Sequence, residues 1–271
     1  MWDAPNDPQI YGQLRLDARP IVAFVEAARA HGHHVTPTHL VGRAVAHVLD
    51  RHPDLDVRIV GGRAYPRPSV EVFFITAVGG GHDLSGVKVA RASRKSVYEI
   101  AAEVERRARA LKAGDDPGFA KSKRLTDTLP PSVLRVALRA ITWVTTTHGV
   151  PLPALGLEAS PFGGAMITSV GMFGLPAGFA PLARLYGVPM VVAVGEIADE
   201  PVAEGGRVVV RPMLPIAATL DHRYLDGWHV GQVMATFREY LAAPARFEPD
   251  LARQEDVDAD RPSVAPPGRV S

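Results

Sequence analysis

A chain of 271 residues, 46% of them hydrophobic, can bury one large α/β core, and 30 basic against 29 acidic residues leave a net charge of +1. That balance gives no basic field to collect nucleic acid, so no nucleic-acid partner is expected. Cysteine is absent, which excludes disulfides, thiolate metal sites and a cysteine nucleophile; any thiol in the chemistry belongs to a substrate.

Residues 1–8 lack the basic and apolar regions of a signal peptide, and no run of about 20 apolar residues offers a membrane span. A cytoplasmic location is expected, and membrane contact is not. Residues 1–12 read as an N-terminal extension, 13–243 as one catalytic domain, and 244–271 as a disordered tail rich in proline and charge. Within the domain, residues 17–30 read as a strand end entering a helix, with Pro20 in the first turn and Ile21, Phe24, Val25 and Ala28 on one stripe. Thr36 and Pro37 open a second helix that Pro53 stops. Residues 57–60 and 63–65 flank Gly61 and Gly62 as a hairpin. Residues 70–78 form a strongly β-prone strand whose partner, 87–90, lies across a glycine loop that lacks the Lys-Ser/Thr of a phosphate loop.

Ser96 and Glu99 form a capping box for a helix reaching about residue 112, with a solvated outer face of Glu103, Glu105, Arg106, Arg107 and Arg109. Residues 132–148 read as a further, largely apolar helix with Arg135 and Arg139 as its only charges, too short to cross a bilayer. Its expected role is burial against the domain or a neighbouring subunit, with an acyl-chain cover and a membrane-surface contact as alternatives. His31, His33 and His34 cluster in a turn without carboxylate or cysteine support, so no metal site is expected.

Residues 213–220 are an extended apolar run, and Val230, Val233, Met234, Phe237 and Leu241 recur at helical spacing. Asp221-His222-Arg223-Tyr224-Leu225-Asp226-Gly227 therefore sits at a strand-to-helix junction. A histidine there, four residues before an Asp-Gly turn, suits an imidazole base in acyl transfer. An imidazole titrates near 6.5 and a thiol near 8.5, so full proton transfer is uphill by only about 3 kcal/mol, small enough to occur during attack.

Asp-His-Arg-x-x-Asp-Gly resembles the signature of the catalytic domain of dihydrolipoamide acyltransferases, the cores of 2-oxoacid dehydrogenase complexes. Asp226-Gly227-Trp228-His229-Val230-Gly231 is similar to the related chloramphenicol acetyltransferases. Further segments fit in the same order: Val35-Thr36-Pro37 through His52-Pro53-Asp54-Leu55-Asp56, then Arg94-Lys95-Ser96, then residues 164–174 followed by Phe179-Ala180-Pro181. Residues 113–160 depart from the pattern as a helical insertion.

The resemblance implies a two-layer α/β fold, a mixed sheet with helices on one face, assembled as a homotrimer. The histidine of one subunit would face the oxyanion hydroxyl of the next across a channel entered by coenzyme A. It implies a coenzyme A-dependent acyltransferase with His222 as base, Asp226 as the acidic residue fixing its loop, and Gly227 giving room at the turn. Thr168 falls where dihydrolipoamide acyltransferases carry a serine and ranks first as oxyanion donor, ahead of Ser160 and Ser169; as strand neighbours, Thr168 and Ser169 face opposite ways. Ser169 and Gly227 are also candidates for contact with coenzyme A.

Chloramphenicol acetyltransferases pair the aspartate with an arginine on an N-terminal helix for which this chain begins too late; Arg223 and Arg15 are the candidate partners of Asp226. No lipoyl domain precedes the catalytic unit, so the acceptor is a lipoyl group supplied in trans, with dehydrogenase subunits as possible partners, or a small molecule. A polar tail argues against a larger cage. The rival expectation is a catalytically silent trimeric scaffold of the same fold.

Overall fold

The computed structural model describes residues 8–60, 62–78, 83–113, 130–148, 150–152, 160–182 and 187–248. Strand β1 (Gln9–Asp17) leads into helices α1 (Arg19–Ala30) and α2 (Pro37–Arg51), then the hairpin β2 (Val57–Val60) and β3 (Arg63–Pro66). Strands β4 (Val72–Val78) and β5 (Asp83–Val89) precede α3 (Val97–Ala113) and α4 (Pro131–Thr142), which runs on into a π-helical turn over Trp143–Thr147. The chain then forms β6 (Ala165–Ser169), β7 (Met190–Val194), β8 (Ala198–Glu204), the long β9 (Arg207–Asp221) and α5 (Gly227–Ala242).

The main sheet has the order β1-β9-β7-β6-β4-β5, with β8 paired to the first half of β9. Its centre, β7-β6-β4, is parallel and the flanking pairs are antiparallel. Strand alternation sorts the side chains into two layers. Leu214, Ile216 and Leu220 of β9, Val192 and Val194 of β7, Ile167 of β6 and Phe74 of β4 face one main core, shared with Ile21 of α1, Leu40 and Val48 of α2, Ile100 of α3 and Leu241 of α5. Gly42 permits this contact: a Cβ there would lie 2.3 Å from the Phe74 ring, so only glycine lets α2 come this close to the sheet. On the other face Met166, Val188 and Val191 pack with Phe73, Ile75, Phe162, Ala180 and Leu182. The expected two-layer architecture with helices on one face is what the chain adopts.

Both sequence-read caps form. Thr36 accepts from His39 N–H at 3.3 Å, and Ser96 and Glu99 exchange contacts of 2.9 and 3.2 Å. Several expectations need correction. Residues 9–12 are not an extension, because β1 pairs with β9 along its whole length from the Gln9↔Asp221 pair onward. The domain also runs past residue 243: Pro244 and Glu248 are buried. The pattern over 213–220 finds only the second half of β9, because Val208 and Val210 in its first half are exposed and give no buried alternation. Helix α4 turns Val133, Val136 and Trp143 outward at 49%, 68% and 61% exposure, so the domain does not bury that face. The Gly79-Gly80-Gly81-His82 loop, residues 114–129 and 153–159 of the insertion, and the tail from 249 lie outside the described residues.

Glu248 closes the core. Its Oε2 accepts from Val97 N–H at 2.6 Å, its Oε1 accepts from the Tyr240 hydroxyl, and Arg43 Nε stands 3.1 Å from Oε1. Burial pushes the Glu248 carboxyl up, opposed by the Arg43 charge. Removing it would strand Arg43 as a buried, uncompensated charge. Glu248→Ala is expected to lose about 3–5 kcal/mol in urea unfolding, whereas Tyr240→Phe, which keeps the ion pair, should lose about 1 kcal/mol.

A second prediction concerns pH. His39 packs against Phe74 at 6.0 Å and its Nδ1 accepts from Thr36 N–H at 3.3 Å, which it can do only while unprotonated. Burial lowers its pKa to about 4. The unfolded chain binds this proton near 6.5, so His39 removes stability as pH falls from there toward 4, by about 2–3 kcal/mol. His39→Asn keeps an acceptor that does not titrate, and its urea midpoint should vary less than wild type across that window.

Candidate active site

β9 ends where its last residue is locked. Asp221 N–H donates to Pro189 carbonyl at 2.9 Å, and the Asp221 carboxylate takes Arg223 N–H at 3.0 Å and Arg223 Nε at 2.9 Å. Asp221 is buried, so this clamp replaces the water its carboxylate gives up. Tyr224 N–H donates to Asp221 carbonyl at 3.0 Å and closes the turn, while His222 N–H donates to Pro8 carbonyl at 2.8 Å. The His222 backbone is thereby fixed at the strand end and its side chain is exposed.

Asp226 is the N-cap of α5. Its Oδ1 accepts from Trp228 N–H at 2.9 Å and His229 N–H at 3.1 Å, with His229 Nδ1 at 2.8 Å. The His229 N–H and then its imidazole hold the Asp226 carboxyl below the usual carboxylate range. The other ring nitrogen, Nε2, lies 3.7 Å from Asp54. Neither arginine considered as the partner of Asp226 fills that place: Arg223 is clamped on Asp221, and Arg15 bonds Glu200 at 2.8 Å. From the sequence His229 carries no role beyond its place in the motif. The signal that finds it is the cap-to-N3 spacing, the one that joins Thr36 to His39.

Thr168 lies one strand away from β7 and two from β9. The register places Thr168, Ala193 and Ala217 in one row across β6, β7 and β9. Thr168 shares the face of Met166, away from the helices, and small Ala193 and Ala217 beside it keep that floor low. Ser169, one residue on, faces the helix side. His222 follows β9 five residues beyond Ala217. With strands about 4.8 Å apart and a rise of about 3.3 Å per residue, Thr168 and His222 are roughly 19 Å apart within one chain.

Ser160 is not near the motif either. Buried and left-handed at φ 48°, it donates its N–H to Thr145 carbonyl at 3.0 Å, and its carbonyl accepts from Lys88 Nζ at 3.4 Å, which ties it to the β5 edge. At Gly227 an added Cβ would meet nothing within 4 Å, and φ is not positive. The turn by itself does not demand glycine, so the reason expected from the sequence is absent within the chain. Among the described residues no group of three His, Cys, Asp or Glu could hold a metal ion. In the histidine turn, His31 Nδ1 contacts Ala27 carbonyl at 2.9 Å and the His33 ring packs at a tilt against Tyr98 at 4.7 Å.

Residues 158–248 match the family described as 2-oxoacid dehydrogenases acyltransferase (catalytic domain). The chain is 25% identical over 219 residues to the dihydrolipoyllysine-residue acetyltransferase component of the acetoin cleaving system of Bacillus subtilis, covering 81% of this chain and 44% of that protein. It is 31% identical over 111 residues to the succinyltransferase component of the 2-oxoglutarate dehydrogenase complex of Saccharomyces cerevisiae, covering 38% of this chain and 22% of that protein. The chain spans about a fifth of the length of such succinyltransferase relatives. Azotobacter vinelandii dihydrolipoamide acetyltransferase shares the fold at a TM-score of 0.64 and 19% identity, over 89% of this chain and 84% of that one. The truncated catalytic core of the 2-oxoacid dehydrogenase complex from Thermoplasma acidophilum shares it at 0.59 and 18%, over 88% and 89%. The resemblance read from the motifs is borne out in sequence and in fold.

The cap yields a prediction. Asp226→Ala should speed amide exchange at Trp228 and His229 several-fold by fraying the first turn of α5, whereas Asp226→Asn, a competent cap, should leave it near wild type.

Proposed function

We propose that the protein is a coenzyme A-dependent acyltransferase that works as a homotrimer, with His222 of one copy and Thr168 of the next completing each site. The observation that carries this reading is the separation just described. An exposed imidazole fixed at a strand end and a hydroxyl on the face away from the helices cannot meet within one chain, but both are presented outward to a neighbour. The relatives act on dihydrolipoyllysine residues by name. The Azotobacter structure belongs to an investigation of the role of a serine, a histidine and an asparagine four residues after that histidine in the catalytic mechanism. His222 and Asp226 have the same interval.

The imidazole takes the proton of an acceptor thiol as the sulfur attacks the thioester carbonyl of acyl-coenzyme A. The Thr168 hydroxyl donates to the oxyanion that forms. Collapse expels the coenzyme thiolate, which recovers the proton from the imidazolium, so the acyl group changes thiols with no net proton change. Asp226 and His229 hold the start of α5 and with it the loop that carries His222. The open space at Gly227 leaves room for the coenzyme arm. The acceptor is a dihydrolipoyl thiol supplied in trans or a small molecule, and dehydrogenase subunits would be partners in the first case.

Thiol release from acetyl-, propionyl- and longer acyl-coenzyme A, with dihydrolipoamide or amines and alcohols as acceptors, tests this. His222→Ala should abolish acceptor-dependent release, Thr168→Ala should lower it roughly 10²–10³-fold, and Thr168→Ser should retain it. Co-assembling the His222→Ala and Thr168→Ala chains should restore part of the activity, because mixed trimers contain sites with both groups intact. Release by none of these proteins from a folded trimer would instead favour a silent scaffold.

A further inference from the structure

Helix α4 belongs to none of this machinery. Val133, Val136 and Trp143 are exposed at 49%, 68% and 61%, and Ala140 is exposed with them. At 100° per residue these four share one stripe within about 80° of arc. The opposite side is fixed to the domain: Thr145 is buried, its carbonyl accepts from Ser160 N–H at 3.0 Å, and its hydroxyl donates to Ile141 carbonyl at 2.9 Å. The helix is therefore held with an apolar face turned to solvent.

Charge decides what that face suits. From residue 128 to residue 157 the sequence contains no carboxylate, and α4 carries Arg135 and Arg139. Arg139 is exposed and flanks the stripe. An apolar stripe ending in an exposed tryptophan and edged by arginine, with no acid to repel phosphate, has the chemistry of a helix that lies in a bilayer surface. The aliphatic stem of arginine adds to the apolar contact while its head reaches the lipid phosphates.

We propose that α4 with its π-helical turn docks the protein on an anionic lipid surface, the stripe Val133, Val136, Ala140 and Trp143 entering the headgroup boundary and Arg139 pairing with lipid phosphate. Among the described residues no helix is long and apolar enough to cross a membrane. The docking is independent of the acyl-transfer reading, and His222→Ala should leave it unchanged.

The test is co-sedimentation of the full chain with vesicles of phosphatidylcholine alone and of equimolar phosphatidylcholine and phosphatidylglycerol. Binding to the anionic vesicles, reduced by salt and weaker on the neutral ones, is expected. Val136→Asp and Trp143→Ser should each weaken it roughly tenfold, a loss of about 1.4 kcal/mol, and Arg139→Glu should abolish the preference for anionic lipid. Val208→Asp, at an exposed apolar position on β9, should bind as wild type. Circular dichroism and the melting temperature of each variant separate loss of binding from loss of fold. Failure of wild type to bind either vesicle, or equal binding by the α4 variants, would overturn the proposal. A smaller assembly for Val136→Asp in sedimentation velocity without lipid would overturn it in favour of a second copy covering the stripe.

Discussion

The rigidity of strand pairing governs the rest of this structure. A residue in a sheet can change neither its row nor its face without breaking every ladder bond beside it, and here both are fixed over six consecutive strands. Thr168 is assigned to the face away from the helices, and His222 is carried past the far end of β9. Neither can approach the other within the chain, which is why the proposed function draws on a second copy. At Gly227 an added Cβ would meet nothing within the chain, so packing does not require the glycine there.

The two ends of the helical layer are secured by different means. Glu248 links the start of α3, the middle of α2 and the end of α5 through one buried carboxylate, so the last described residue of the chain is also a core residue. Asp226 does its work at the surface, where a cap and a neighbouring imidazole orient the first turn of α5 without a buried charge. The first device concentrates stability in one polar cluster. The second leaves the loop that bears His222 accessible to solvent.

Helix α4 shows why apolar content does not predict burial. Its sequence is apolar around most of its circumference, which suggests an interior helix. The anchoring of Thr145 to Ser160 sets one side inward, and Val133, Val136, Ala140 and Trp143 stay exposed. An exposed stripe of this kind on one firmly held helix is a surface looking for a partner.

The sequence by itself determined what depends on near neighbours along the chain. The Thr36 and Ser96 caps, the Pro53 stop, the pairing of 57–60 with the strand from Arg63 and the strand-to-helix junction bearing His222 are all set within a few residues, and all are found where the pattern put them. Motif resemblance supplied the fold class. Only the tertiary structure decided the partners of Arg15, Arg223 and Asp226, the inclusion of residues 9–12 and 244–248 in the domain, and the roughly 19 Å between Thr168 and His222. Those depend on register between strands distant in sequence and on competition among nearby charges. Arg223 is captured by Asp221 two residues away before it can reach Asp226, and no local spacing rule records which carboxylate wins.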